Sequence, residues 1–316
     1  MAVTIPFREL SFSGHESFAL RYVWLKKGFD ALLEETEFFS RDDAMVVLGT
    51  GKNMVRAVRH WGLACGVWEE VAQTRGRSLV PTRMGREFFG DPAKGGWDPY
   101  LEDAGTIWWL HWRLVTSLDR ATTWTWAFGR PKGNVFSKTE LQAELTDLIA
   151  DSGAKKTSPA SMKRDIDVFV RSYFVDRAPS AVFIEDLLDS PFCALGLVRK
   201  GTERGTLELV QGAKPTLPLA VFEAALVEFC ERCKEGGATS IPFEDLLYAP
   251  LSPGLVFRLG ENDLEERLVA LRNQSPDVYL FDETAGLRQL LIAKSPGSSL
   301  EILRQHYEVA QAEVAK

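Results

Sequence analysis

Apolar and polar positions change period several times along this chain, and each change marks an element. "SFALRYVWLKKGFDALLEE" sets Leu20, Val23, Trp24, Leu32 and Leu33 near helical spacing, which predicts a first helix. "SRDDAMVVLG" predicts a second, with Ser40 as its N-cap and acids in its first turn. Gly49-Thr50-Gly51 makes a turn. "KNMVRAVRHWGLA" then gives a third helix with Met54, Val55, Val58, Trp61 and Leu63 on its apolar face. The period shortens at "VWEEVAQ" and again at "LVPT", two strands around a polar tip, "TRGRS". "RMGREFFG" closes the segment.

Three helices followed by a hairpin is the order of a winged helix-turn-helix. The order recurs in "SKTELQAELTDLIADSG", "SPASMKRDIDVFVRSYF", "CALGLVRK" and "LELVQG", where each helix carries a Ser or Ser-Pro start signal. A third candidate runs through "SIPFEDLLYAP", "SPGLVFRLGENDLEERLVALRN" and "DVYLFDETAGLRQLLIA". The irregular spacing makes this a repeated module type rather than a solenoid. Between the first two modules, Trp97, Trp108, Trp109, Trp112, Trp124 and Trp126 crowd a helical connector, where most should be core, and His111 reads as a satisfied interior histidine. The expected fold is mainly α with small β-hairpins. Residues 1–90 form a winged-helix module, 91–136 the Trp-rich connector, 137–215 a second winged-helix-like module, and 216–316 an acidic C-terminal module.

Charge sharpens this picture. The chain of 316 residues has a formal net charge of −7, yet residues 216–316 hold 9 Lys and Arg against 16 Asp and Glu. Thr50–Arg86, by contrast, holds 7 against 2. A uniformly basic nucleic-acid binder is excluded; a local basic surface is not. Lys52, Arg56, Arg59 and His60 fall opposite or beside the apolar face of the third helix, and Arg75 and Arg77 at the hairpin tip. Helix and tip basic together favour double-stranded DNA as the partner, over a winged helix that binds protein. The third module is acidic and fits a protein neighbour better.

Composition excludes other classes. No apolar run is long enough to span a bilayer, and "MAVTIPFREL" lacks the regions of a signal peptide, so a cytoplasmic location is expected. Cys230 and Cys233 lie in the amphipathic helix "LPLAVFEAALVEFCERCKEGG" with no second pair or nearby His to complete a zinc site. "GTGKNM" lacks the end of a phosphate loop and follows no buried strand.

Carboxylates carry what chemistry remains. Asp98, Glu102 and Asp103 in "WDPYLED" form an oxygen-rich group of the kind that suits magnesium, although acids at a helix start also serve as caps. Asp165 and Asp167 alternate with apolar residues near Lys163, Arg164 and Arg171, with which they could pair. His15 and Glu16 beside Arg21 could do acid–base work or satisfy the end of the first helix.

In order, "FSGHESFALRYVWLKKGFDAL", "LGTGKNMVRAVRHWGLACGV", "WDPYLEDAGTIWWLHWRL" and "KRDIDVFVRSYF" resemble a bacterial domain-of-unknown-function family from DNA phosphorothioation and phage-defence loci. "DSPFCALGLVRK" and "GAKPTLP" extend the likeness, which covers roughly residues 10–290. The resemblance implies a DNA-nicking endonuclease using magnesium beside a cysteine desulfurase, a sulfur-transfer enzyme and an ATPase. The family carries no catalytic signature that transfers residue by residue. The other reading is a non-catalytic winged-helix adaptor or regulator that recruits the sulfur-transfer proteins. A homodimer is compatible with either.

Overall fold

The computed structural model describes residues 5–131, 133–154, 157–175, 190–235, 240–284 and 287–314. Two compact units result. The larger holds residues 6–127 and 135–209, and the smaller holds 1–5, 128–134 and 210–316.

In the larger unit, α1 (Trp24–Glu34), α2 (Ala44–Leu48) and α3 (Lys52–Ala64) lead into a hairpin of β1 (Trp68–Glu70) and β2 (Leu79–Pro81), then α4 (Arg83–Phe89). The hairpin is antiparallel, with Trp68 opposite Pro81 and Glu70 opposite Leu79. Thr82 caps α4 by accepting from the Gly85 N–H at 3.0 Å. Next come α5 (Ala104–Val115), α6 (Thr122–Phe128), β3 (Val135–Ser137), α7 (Lys138–Ser152), α8 (Pro159–Tyr173), β4 (Val198–Lys200) and β5 (Thr206–Leu209). β5 lies between β3 and β4 in an antiparallel sheet.

Local chemistry explains the helix starts. Ser137 and Glu140 form a reciprocal capping box on α7. Ser158 caps α8, with Pro159 at its first position, where the missing N–H costs nothing. Two expectations need correction. α1 begins only at Trp24; the Phe18 carbonyl ahead of it accepts from Trp61 Nε1 at 3.0 Å instead. Ser40 caps no helix. It closes a short 3-10 turn, Phe38–Ser40, and α2 starts after Asp43.

Buried aromatics fill this unit. Trp108, Trp109 and Trp112 on α5 are all fully buried, as is Trp124 on α6, while Trp97 and Trp126 are partly exposed. His111 is buried with Nδ1 2.7 Å from the Tyr173 hydroxyl, and Tyr173 stacks on Phe192. Trp68 is held between two glycines. A Cβ on Gly28 of α1 would lie 2.6 Å from its ring, and one on Gly62 of α3 only 1.9 Å. Here glycine lets two helices close on one indole.

The smaller unit contains α9 (Leu219–Glu235), β6 (Ile241–Pro242), α10 (Phe243–Tyr248), α11 (Pro253–Val256), α12 (Glu261–Gln274), β7 (Tyr279–Thr284), β8 (Leu287–Ile292) and α13 (Ser299–Val314). α13 packs on α9, and β8 lies between β6 and β7. The strand order therefore matches that of the larger unit's three-stranded sheet: first beside last, with the middle strand outside. Among the described residues no helix is long and apolar enough to cross a membrane.

Candidate nucleic-acid interface

The amphipathic period of α3 sorts its residues by face. Val55, Ala57, Val58 and Trp61 are buried, and Lys52 and Arg56 are exposed. Arg56 Nη1 meets Glu16 Oε1 at 3.2 Å. Arg59 is half-buried. Its Nη2 donates to the Gly76 carbonyl at 2.9 Å and lies 3.0 Å from Glu70, so it ties α3 to the hairpin tip. Arg75 and Arg77 are exposed at that tip, where Gln73, Arg75 and Gly76 adopt left-handed backbone. The structure thus places Lys52, Arg56, Arg75 and Arg77 at the surface, with Arg59 as the strut between them.

His60 lies elsewhere. It is 9% exposed, and a Cβ on Gly14 would lie 2.3 Å from its Nδ1, so it fills space under the N-terminal loop instead of facing solvent. Burial, with His15, Arg120 and Arg59 nearby, holds its imidazole well below the ordinary 6.5.

That loop joins distant elements. His15 Nε2 sits 2.8 Å from Asp165 Oδ1, and the Ser13 N–H donates to the same oxygen at 2.5 Å. Thr123 donates to Asp165 Oδ2. The ring of His15 stacks on Trp61 at 5.9 Å and meets Trp124 edge-on at 5.5 Å. His15 Nδ1, His60 Nε2 and Trp124 Nε1 are buried with no partner among the described residues. His15 is 1% exposed, so the His15–Asp165 pair binds elements together and presents no base to a surface ligand. Sequence reading placed Asp165 near the basic residues of its own helix; the structure turns it inward. Asp167 pairs with a lysine of another helix, Lys138 of α7, at 2.6 Å.

The "WDPYLED" carboxylates are organised around a helix start. Asp98 is buried. Its Oδ1 accepts from the Glu102 N–H at 2.8 Å, and its Oδ2 accepts from the Asp103 N–H at 3.0 Å and the Thr106 hydroxyl at 2.6 Å. Asp103 caps α5 by accepting from the Gly105 N–H at 2.6 Å. Three N–H and O–H donors thus occupy the Asp98 carboxylate and one occupies Asp103, the arrangement of acids that cap a helix start, while the Glu102 carboxylate is exposed. Among the described residues no three His, Cys, Asp or Glu are grouped to hold a metal ion.

The family described as "Protein of unknown function (DUF4007)" matches residues 12–307, and this chain belongs to it. Two solved structures of SspB share its fold. A crystal structure of SspB is 30% identical with a TM-score of 0.82, covering 94% of this chain and 88% of that one. A magnesium ion-bound SspB crystal structure is 30% identical with a TM-score of 0.83 and the same coverage. No curated protein matches the sequence.

Proposed function

We propose that this protein is the DNA-binding component of a bacterial DNA phosphorothioation anti-phage system, and that it nicks duplex DNA with magnesium. The observation that carries the binding claim is the joint exposure of Lys52 and Arg56 on α3 and of Arg75 and Arg77 at the hairpin tip. We read α1–α3 with their hairpin as a winged helix-turn-helix, in which the third helix enters the major groove and the wing touches the backbone. The β3–α7–α8–β4–β5 and β6–α10–α12–β7–β8 runs repeat that plan, with the Trp-rich α5 and α6 between the first and second modules. Likeness to SspB supports the pathway, and the magnesium-bound form of that relative supports the ion. Sulfur-transfer and ATPase proteins of the same system are the expected partners.

A second reading, a non-catalytic adaptor, is favoured by one observation: the oxygens of Asp98 serve backbone and hydroxyl donors. Relaxation of supercoiled plasmid with and without magnesium separates the two. Nicked circles only with the ion support the nickase, and unchanged plasmid at duplex-saturating protein supports the adaptor. Binding itself is tested with Lys52→Ala/Arg56→Ala. Losing two phosphate contacts lowers the slope of log affinity against log salt by about 2. An unchanged slope removes α3 from the interface.

A further inference from the structure

The exposed face of α8 carries Lys163, Arg164 and Arg171, a row that extends about 12 Å along the helix at 1.5 Å per residue. Lys138 of α7 and Lys200 of β4 face it across two adjoining hollows, of about 500 Å³ and about 510 Å³, that share Lys138 and Arg171 in their walls. Five bases line this groove against one acid, Asp167, and that acid is already paired with Lys138. Val170, Phe174 and Leu207 supply an apolar floor.

The groove adjoins the α3 surface through the N-terminal loop. Arg171 Nη2 donates to the Ser17 carbonyl at 2.9 Å, and the neighbouring Glu16 pairs with Arg56 of α3. From the other side, Ser13 and His15 fasten the same loop to Asp165 of α8. Arg56 and Arg171 therefore stand one loop apart within a single compact unit. In chain order and strand order, α8 precedes its β4–β5 hairpin as α3 precedes β1–β2. The matching helix of the smaller unit, α12, carries Glu261, Asp263, Glu265 and Glu266 instead.

From this we infer that the α8 groove is a second nucleic-acid contact, which takes a further stretch of phosphate backbone of the duplex held by α3. The inference rests on the DNA-binding reading above. Continuity with a basic helix favours a polyanion long enough to reach both surfaces, and discrete Lys and Arg heads over an apolar floor suit phosphates. Lys163 and Arg164 are exposed and hold no ion pair among the described residues, so on meeting phosphate they give up mainly water and counterions.

Three proteins test it: wild type, Lys52→Ala/Arg56→Ala, and Lys163→Ala/Arg164→Ala. Both α8 side chains are exposed, so the fold should survive, as a circular-dichroism melt checks. Affinity for a duplex of about 30 base pairs, roughly three helical turns, is read by anisotropy across a salt series. The α8 variant is expected to lose about 2 from the salt slope, and Lys163→Glu/Arg164→Glu to weaken binding further. A folded α8 variant with wild-type slope and affinity overturns this inference and leaves the α3 reading standing. No duplex binding by wild type overturns both. Loss in the α8 variant alone supports the groove and removes α3.

Discussion

At the scale of single residues, burial decides what each titratable group can do. His60 lies on the most basic helix, yet its side chain is inside, near His15, Arg120 and Arg59. Its folded pKa is held well below 6.5, so the fold keeps it neutral, while the unfolded chain takes up a proton as pH drops below that value. Stability contributed by neutral His60 is therefore present above pH 6.5 and is lost as pH falls below it, by at most about 1.4 kcal/mol per pH unit. His60→Gln removes this titration. The stability difference between wild type and variant, measured by urea unfolding, should shrink between pH 7.5 and pH 5.5. A constant difference would mean that His60 titrates alike in the folded and the unfolded chain. Arg59 shows the same principle differently: its charge lies beside the exposed bases of α3, but its hydrogen bond to the Gly76 carbonyl holds the hairpin tip in place.

At the scale of elements, close approach sets how the hairpin sits on α3. α1 and α3 share the ring of Trp68 through Gly28 and Gly62, and Trp68 Nε1 donates to the Arg59 carbonyl at 3.1 Å. That indole fixes the hairpin to α3 and with it the spacing of Arg75 and Arg77 from Lys52 and Arg56. Gly62→Ala would put a methyl group 1.9 Å from a ring carbon, so Trp68 or a helix must move. The expected loss is about 1–3 kcal/mol, typical of overpacking, together with weaker duplex binding at unchanged surface charge. Chemical denaturation and anisotropy on the same sample check both. Wild-type stability would show that the slot can open freely.

At the scale of the whole molecule, the tryptophans divide the two units cleanly. All nine lie in residues 6–127, within the larger unit, and the smaller unit has none. Tryptophan emission therefore reports unfolding of the larger unit alone, while far-ultraviolet circular dichroism reports helices in both. Because each unit has its own core, we expect the two unfolding curves not to coincide. Duplex DNA should raise the tryptophan midpoint, since ligand that binds the native state stabilises what it touches. A DNA-induced shift confined to the circular-dichroism curve would move the binding site off the larger unit.

Some of this was legible in the residues alone. The 3.6-residue period of "KNMVRAVRHWGLA" defines α3 from Lys52 to Ala64, and the Ser137 and Ser158 start signals define α7 and α8. Such features are local, because caps and amphipathic faces depend on neighbours within one or two turns. The same holds for the concentration of bases in Thr50–Arg86. Other features were not legible. β3 and β6 are three and two residues long, too short for a period, and become strands only by pairing with β5 and β8. Asp165 and Asp167 look alike in "MKRDIDVFVR", but one is buried against His15 and the other faces Lys138. Asp98 and Glu102 look like ligands four residues apart until the turn before α5 aims amides at one of them. The sequence by itself determined helices with a clear period or cap, such as α3, α7 and α8, and where positive charge gathers. Only the tertiary structure decided which charges reach the surface and which serve the interior, because that depends on contacts between residues as far apart as 15 and 165.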